Sequence, residues 1–521
     1  MTNMIHSFAH LSTTHPHYES SDAKSHDEPA PGRAKRLSKK DLMLVQSRAH
    51  IVISKTPNRE LHMNRPIAVI ILSLLPSLTI AATLDSAQLA EEGVQTLIRY
   101  LQVDTTNPPG NEDRGVSFFA DIFKAEGIRY TTAEAAPTRG NIWARLKGGD
   151  KPALVLLNHM DVVPADAIYW DEDPLSGAVR DGKIYGRGTL DMKGTGVLQL
   201  QTFLALKRAG RSLNRDVIFV ATADEEAGGN FGAGYLVKEH AEIFEGVGYL
   251  LNEGGGGGFA NNSPIFTVGV TEKIPFWLKL TATGNPGHGS APQVETSVSK
   301  LLRALSRLEN AYFKPRVIPV MKSYLQSVAN LQTAYFKQKF TNIESAIQER
   351  NFLLRLQIEN PGLAARLRNS CSITRLGASN KINVVPPVAW AEIDCRLLPD
   401  QDKEEFIEVL KAVVNEPDIE IATILAFSPA VSPITTPLYT IVSQVIDRHH
   451  PGALVVPSMS AGFTDSHWFR EMGITSYGFA PILVPVEDYG GVHGNNEKMD
   501  IEAFKQGTVL LLEMVQQFVY D

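Results

Sequence analysis

The sequence predicts an α/β protein with a mixed, largely parallel sheet, helices on both faces, and a smaller inserted α+β domain. Three observations lead there. Continuously apolar strands alternate with amphipathic helices from about residue 84 to 272. The texture then changes to strands of alternating polarity, and the first texture returns near residue 430. Apolar strands separated by helices belong to a covered sheet, whereas alternation marks a sheet with one wet face.

The elements follow in order. "SAQLAEEGVQTLIRYLQV" has helical spacing, with Ser86 as the expected N-cap, and "VSFFADIFKAEGI" is a second helix ended by Gly127. "NIWARLKG" and "ALVLLNHMD" are strands, the second apolar enough for a sheet interior. "GVLQLQTFLALKRAG" is a helix stopped by Gly210. "RDVIFVATADEE" and "VGYLLNEGGGGG" are further buried strands, the second expected to break at its glycines. "IPFWLKLTATG" and "VAWAEIDCRLLP" alternate like antiparallel strands. Helices are expected around "SVSKLLRALSRLENAYF" and "DKEEFIEVLKAVVN", and 312–370 is polar-rich and mostly helical. From "TPLYTIVSQVIDRHH" to "IEAFKQGTVLLLEMVQQFV" the α/β pattern resumes. The larger domain is therefore assigned to 82–272 with 430–521, and the insert to 273–429.

Near the N-terminus, "MNRPIAVIILSLLPSLTIAA" has a basic residue, an apolar core short for a bilayer span, and small residues before a cleavage point. This is the pattern of a secretory signal peptide at 63–81, so the protein is expected to be exported, periplasmic or secreted, without stable membrane association once processed. Signal peptides start at the initiator, which makes Met63 the expected start and 1–62 an upstream segment. Seven of the 14 histidines lie in 1–62, so that cluster is not read as a metal site. The first 81 residues carry ten Lys/Arg against six Asp/Glu, so removing them deepens the net charge from −7 to −11. With no basic stripe in the folded part, nucleic acid is excluded as the main partner. Cys371 and Cys395 could pair across two strands or remain buried thiols; the spacing leaves both open.

Ligand-type residues stand wherever an apolar strand ends: His159 and Asp161 after "LVLL", Asp191 in "GRGTLDMKG", Glu225 and Glu226 after "VIFVATAD", and Glu253 after "GYLLN". His493 lies in the glycine-bounded "GGVHGNNEKM". Sites in open α/β sheets form beyond the carboxyl ends of the strands. Taken singly, each residue has a bland explanation, such as a solvated carboxylate or a helix cap. Together, converging acids would repel one another unless cations held them. Carboxylates with imidazole and no thiolate suit zinc or a similar divalent ion, and two ions sharing a bridging carboxylate use that many ligands best.

"NHMDVVP", "GRGTLDMKG", "ATADEEAGG", "NEGGG", "GNPGHGSAP" and "GVHGNNEKM" occur in this order over about 88–519. In this the chain resembles the co-catalytic metallopeptidases of the carboxypeptidase G, aminoacylase and succinyl-diaminopimelate desuccinylase family, and looks like carboxypeptidase S and its relatives. The resemblance implies two divalent ions per subunit, zinc first with cobalt or manganese as alternatives. It implies that Asp191 bridges them, that His159 and Glu253 complete one site, and that Glu226 and His493 complete the other. It further implies Glu225 as general base, Asp161 as the partner of the His159 ring, and His288 as a donor to the developing oxyanion. In dimeric relatives that histidine serves the other subunit's site; without the resemblance it reads as a plain loop histidine. Asn383 and Arg396 resemble the family's substrate-binding pair, and a guanidinium fits a carboxylate bidentately.

The implied reaction is hydrolysis of an amide bond beside a free carboxylate, on a small peptide or an N-acyl amino acid. Carboxypeptidase is the favoured form and amidohydrolase the alternative. A non-catalytic binding protein would be expected to have lost Glu225 or a ligand, and neither is lost. The pattern departs in two places: 312–370 is longer than the simplest family lids, leaving homodimer and lidded monomer open, and His467 stands where relatives often carry Arg and is read as a non-ligand.

Overall fold

The computed structural model describes residues 85–520. The expected signal peptide, the segment before it and the start at Met63 lie outside the described residues. Within them, no helix is long and apolar enough to cross a membrane.

An eight-stranded mixed sheet runs in the order Tyr130–Glu134, Gly140–Leu146, Arg215–Thr222, Lys151–His159, Val247–Ala260, Thr475–Leu483, Ser263–Glu272, Leu454–Ser460. The strands from Arg215–Thr222 to Thr475–Leu483 in that order are mutually parallel. Both faces are covered, as continuous apolarity requires. Leu154 and Leu156 join a core with helices Ser86–Leu101, Lys193–Ala209 and Ile501–Tyr520, while Val155 and Leu157 pack with Leu236, Phe244 and Phe469 on the opposite side. The first helix is capped by Asp85, not Ser86: its carboxylate accepts from the Ala87 and Gln88 amides at 3.0 and 3.4 Å. Gly210 ends helix Lys193–Ala209 at φ +61, as expected.

The glycine run does not break its strand. Val247–Ala260 continues through it and turns back, antiparallel, into Ser263–Glu272. A Cβ at Gly255 would collide with the carbonyl oxygens of Gly478 and Thr267. The glycines thus let three backbones meet where side chains would hold them apart.

A second, four-stranded antiparallel sheet is ordered Ser370–Gly377, Val388–Leu397, Ile274–Thr283, Ile419–Ala426. Its alternating buried residues pack under helices Ser297–Glu309 and Lys403–Val414. Cys371 and Cys395 face each other across two of its strands and are joined in a disulfide. The helices of 319–365 do not lie on this sheet. Met321, Leu325, Phe340 and Phe352 pack instead on Ile265, Val456 and Met459 of the large sheet. Their amphipathic spacing predicts a buried face but carries no information about what covers it.

Candidate metal centre

Strand ends bring the acids together. His159 closes Lys151–His159 and pairs in register with Thr222, so the turn carrying Glu225 and Glu226 starts beside it. Glu253 sits on the next strand, where pairing with Thr475–Leu483 slips between Gly478 and Ala480 and Gly254 adopts φ +100. Such an irregularity re-aims a side chain that regular pleating would bury.

His159 Nε2 lies 3.2 Å from Asp191 Oδ1 and 3.5 Å from Glu253 Oε1. His493 Nε2 lies 3.1 Å from Asp191 Oδ2 and 3.1 Å from Glu226 Oε2. Asp191 thus offers one oxygen to each imidazole, and each imidazole has one further carboxylate. Donor atoms of His159, Glu225 and Glu253 also lie within 4.8 Å of one another. No described residue donates to the Glu225 carboxylate, which stands beside His159 and Glu253.

The electrostatics test whether cations belong here. Burial, then the Glu253 charge, pushes Glu225 well above the usual carboxylate range. Burial and Asp191 push Glu253 up to about 7, and burial raises Glu226. Burial disfavours a charged His159, yet Glu253, Asp161 and Asp191 hold its pKa well above that of a free imidazole. Hydrogen bonds to Asp191 and Glu226 push His493 up to about 10. Without another cation, the acids must keep protons or the histidines must carry them. Two sets of imidazole nitrogen and carboxylate oxygen sharing one acid fit a pair of divalent ions with N/O preference. The only two cysteines are bonded to each other in the smaller sheet.

Three buried supports hold the candidate ligands. The Asp161 carboxylate stands 3.5 Å from His159 Nδ1, but that nitrogen is closer, at 2.9 Å, to the Asp161 carbonyl. The carboxylate's shorter contacts are Asn107 Nδ2 at 2.8 Å and the amides of Glu225 and Glu226 at 3.1 and 3.2 Å. Asp161 therefore fixes the Glu225–Glu226 turn as much as the imidazole. On the other side of that turn, Asp224 is left-handed at φ 69 and pairs with Arg139 at 2.6 Å, which also meets Glu112 at 2.9 Å. Glu497 accepts from the amides of Gly188, Leu190 and Asp191 at 2.9, 2.7 and 3.1 Å and pairs with Arg187 at 2.7 Å. Arg187 also donates to the Gly494 carbonyl at 2.7 Å, tying the Asp191 turn to the His493 loop. Neither Arg187 nor Glu497 is singled out by sequence reasoning, although both lie inside motifs quoted above.

The remaining expected residues stand apart. His288 is exposed, with Nδ1 2.7 Å from Ser290 Oγ, and its short strand pairs with Val384 beside Asn383. Arg396 is held by both oxygens of Asp394 at 2.7 and 3.1 Å. None of the three lines the cavity of about 660 Å³ that opens at Asp191 and Glu253 and runs between Ile265, Met459, Ile482, Val484 and Arg366. His467 is buried, stacks on Phe427 at 3.5 Å and shares Nδ1 with the Thr464 carbonyl at 2.8 Å; burial lowers its pKa to about 3. It contacts no ligand of the centre.

Fold and site together define a hydrolase of the metallopeptidase and amidohydrolase class. Residues 155–517 match peptidase family M20/M25/M40, and the chain belongs to that family. It is 31% identical over 385 residues to a Xenopus tropicalis N-fatty-acyl-amino acid synthase/hydrolase, covering 71% of this chain and 74% of that protein. To human aminoacylase-1 it is 28% identical over 425 residues, covering 79% and 92%. A Sulfolobus solfataricus M20 family metallo-carboxypeptidase shares the fold with a TM-score of 0.65 at 20% identity, over 82% of this chain and 98% of that one. A Bacillus subtilis dinuclear metal binding peptidase shares it with a TM-score of 0.52 at 14% identity, over 83% and 99%.

Proposed function

We propose that the protein hydrolyses the amide bond of N-acyl amino acids carrying an apolar acyl group. The observation that carries this is the cavity beside Asp191 and Glu253, whose walls expose more apolar than polar surface, from Phe259, Ile265, Met459, Ile482, Val484 and Val486 among others. Carboxypeptidase action would use the same centre. The similarity to an N-fatty-acyl-amino acid synthase/hydrolase and to an aminoacylase favours the deacylase form.

His159, Asp191 and Glu253 would hold one divalent ion, and His493, Asp191 and Glu226 the other, with zinc first and cobalt or manganese suited to the same donors. Ions bound there supply Lewis acidity toward the amide carbonyl and make water easier to deprotonate near neutral pH. Glu225 accepts the proton of the attacking water and passes it to the leaving nitrogen. The water oxygen bonds to the carbonyl carbon, the C–N bond breaks, and a carboxylic acid and an amino acid leave. Asp161, and Arg139 through Asp224, keep Glu225 and Glu226 on their separate bearings during this transfer. Residues 273–429 would act as lid, and a homodimer would bring His288, Asn383 and Arg396 to the other subunit's site. Analytical ultracentrifugation tests that assembly, and N-terminal sequencing of native protein tests export after cleavage near Ala81.

The deciding experiment screens N-acyl amino acids and dipeptides with metal analysis of the same sample. Preference for long-chain N-acyl amino acids is expected, with activity lost to a chelator and restored by Zn²⁺ or Co²⁺. Full turnover by metal-free protein, or cleavage of dipeptides alone, would overturn the reading.

A further inference from the structure

The cavity holds a charge that no described residue answers with an ion pair. Arg366 follows helix Pro361–Ala365 and is the only basic side chain lining it. Among the described residues it forms no ion pair, and its buried Nε has no hydrogen-bond partner. Arg139, Arg187 and Arg470 each face a carboxylate at 2.9 Å or less. The desolvation of a half-buried guanidinium is normally offset by an anion or a set of acceptors. Its surroundings here are Tyr324 and the apolar walls that lead back to Glu253. Arg396, the residue expected to bind a carboxylate, already has its Nε and one terminal nitrogen on Asp394.

We propose that Arg366 receives a carboxylate of the substrate inside this cavity. It would be a specificity-determining residue for acids built on an apolar skeleton. The planar donor fork pairs with a carboxylate through two parallel hydrogen bonds, which the hydroxyls and apolar side chains of the walls cannot supply. Two sources carry this chemistry: the α-carboxylate of the amino-acid half, and a carboxylate at the far end of the acyl half. The inference rests on the amidohydrolase reading above for its substrates, but not on how the centre performs the reaction.

The test compares wild type, Arg366→Met and Arg366→Lys on N-octanoyl leucine, N-octanoyl leucinamide and N-suberoyl leucinamide. The first has only the α-carboxylate, the second has none, and the third has one only at the acyl end. Arg366→Met should raise KM about tenfold or more for one acid, the size expected for losing a charge-assisted bidentate contact. It should leave kcat, metal content and the neutral substrate unchanged, and Arg366→Lys should recover part of the loss. Which acid is affected identifies the source. Unchanged KM for both acids, or an equal loss on the neutral amide, overturns the proposal. Should wild type hydrolyse none of the three, the amidohydrolase reading is what fails. Calorimetry with octanoate and octanamide then decides separately. Octanoate binding weakened about tenfold by Arg366→Met, with octanamide unaffected, supports the role; equal octanoate affinity removes it.

Discussion

Asp191 meets His493 at 3.1 Å, carboxylate oxygen to Nε2, although the two residues sit on loops from distant parts of the chain. The other Asp191 oxygen faces His159. Asp191→Ala should therefore empty both halves of the centre, whereas His493→Ala should remove one ion and leave the other. Mass-spectrometric metal counting of the purified variants separates these outcomes. Equal stoichiometry in the two would contradict the shared-acid arrangement.

Glu225 is buried and takes no hydrogen bond from a described residue; its carboxylate lies within 4.8 Å of His159 and Glu253, but the set of His159, Asp191 and Glu253 and the set of His493, Asp191 and Glu226 do not include it. Glu225→Gln should keep the full metal complement and lose on the order of 10²–10⁴ in kcat, the size of a general-base contribution. Loss of metal in this variant would recast it as a ligand.

Glu497 and Arg187 are both buried, and they join the two loops that carry Asp191 and His493. Glu497→Gln should weaken metal binding by about 10–100-fold, the usual cost of disturbing what orients a ligand. Arg187→Met should add little on top of it, since the two act as a pair. Additive losses in a competition titration with a chromogenic chelator would show them to be independent.

Lys273 is buried where the two sheets join, donating to the Arg368 carbonyl at 2.9 Å and Ser370 Oγ at 2.8 Å. Burial, with Arg396 and Arg368 nearby, lowers its pKa from 10.5 to about 7. Between those values the unfolded chain binds the proton more tightly, so this group's stabilising contribution is full above the upper value. It is lost progressively as pH falls toward the lower one. Urea midpoints over that window should show a positive slope that flattens in Lys273→Met. An identical slope in both proteins would mean that Lys273 does not titrate on unfolding.

Much of the site is legible in the sequence because its chemistry coincides with local breaks in pattern. A histidine after "LVLL" or paired glutamates after "VIFVATAD" have no packing reason to be there. What is not legible depends on a partner supplied from afar. Alternating strands around Cys371 and Cys395 leave open whether the sulfurs come together; that requires the register, which places them directly opposite. "GGGGG" reads as a break because glycine ends strands when alone, yet here Gly478 and Thr267 press in from both sides. Arg366 looks like one more helix charge until the lack of any acid near it becomes visible. Arg187 and Glu497 likewise acquire meaning only from each other.

His493 and Glu497 lie beyond the whole of the smaller sheet in chain order. During synthesis, the ribosome delivers His159, Asp191, Glu226 and Glu253 long before the imidazole and the clasp that finish the pocket. A nascent polypeptide can thus present only part of this constellation until His493 has been made.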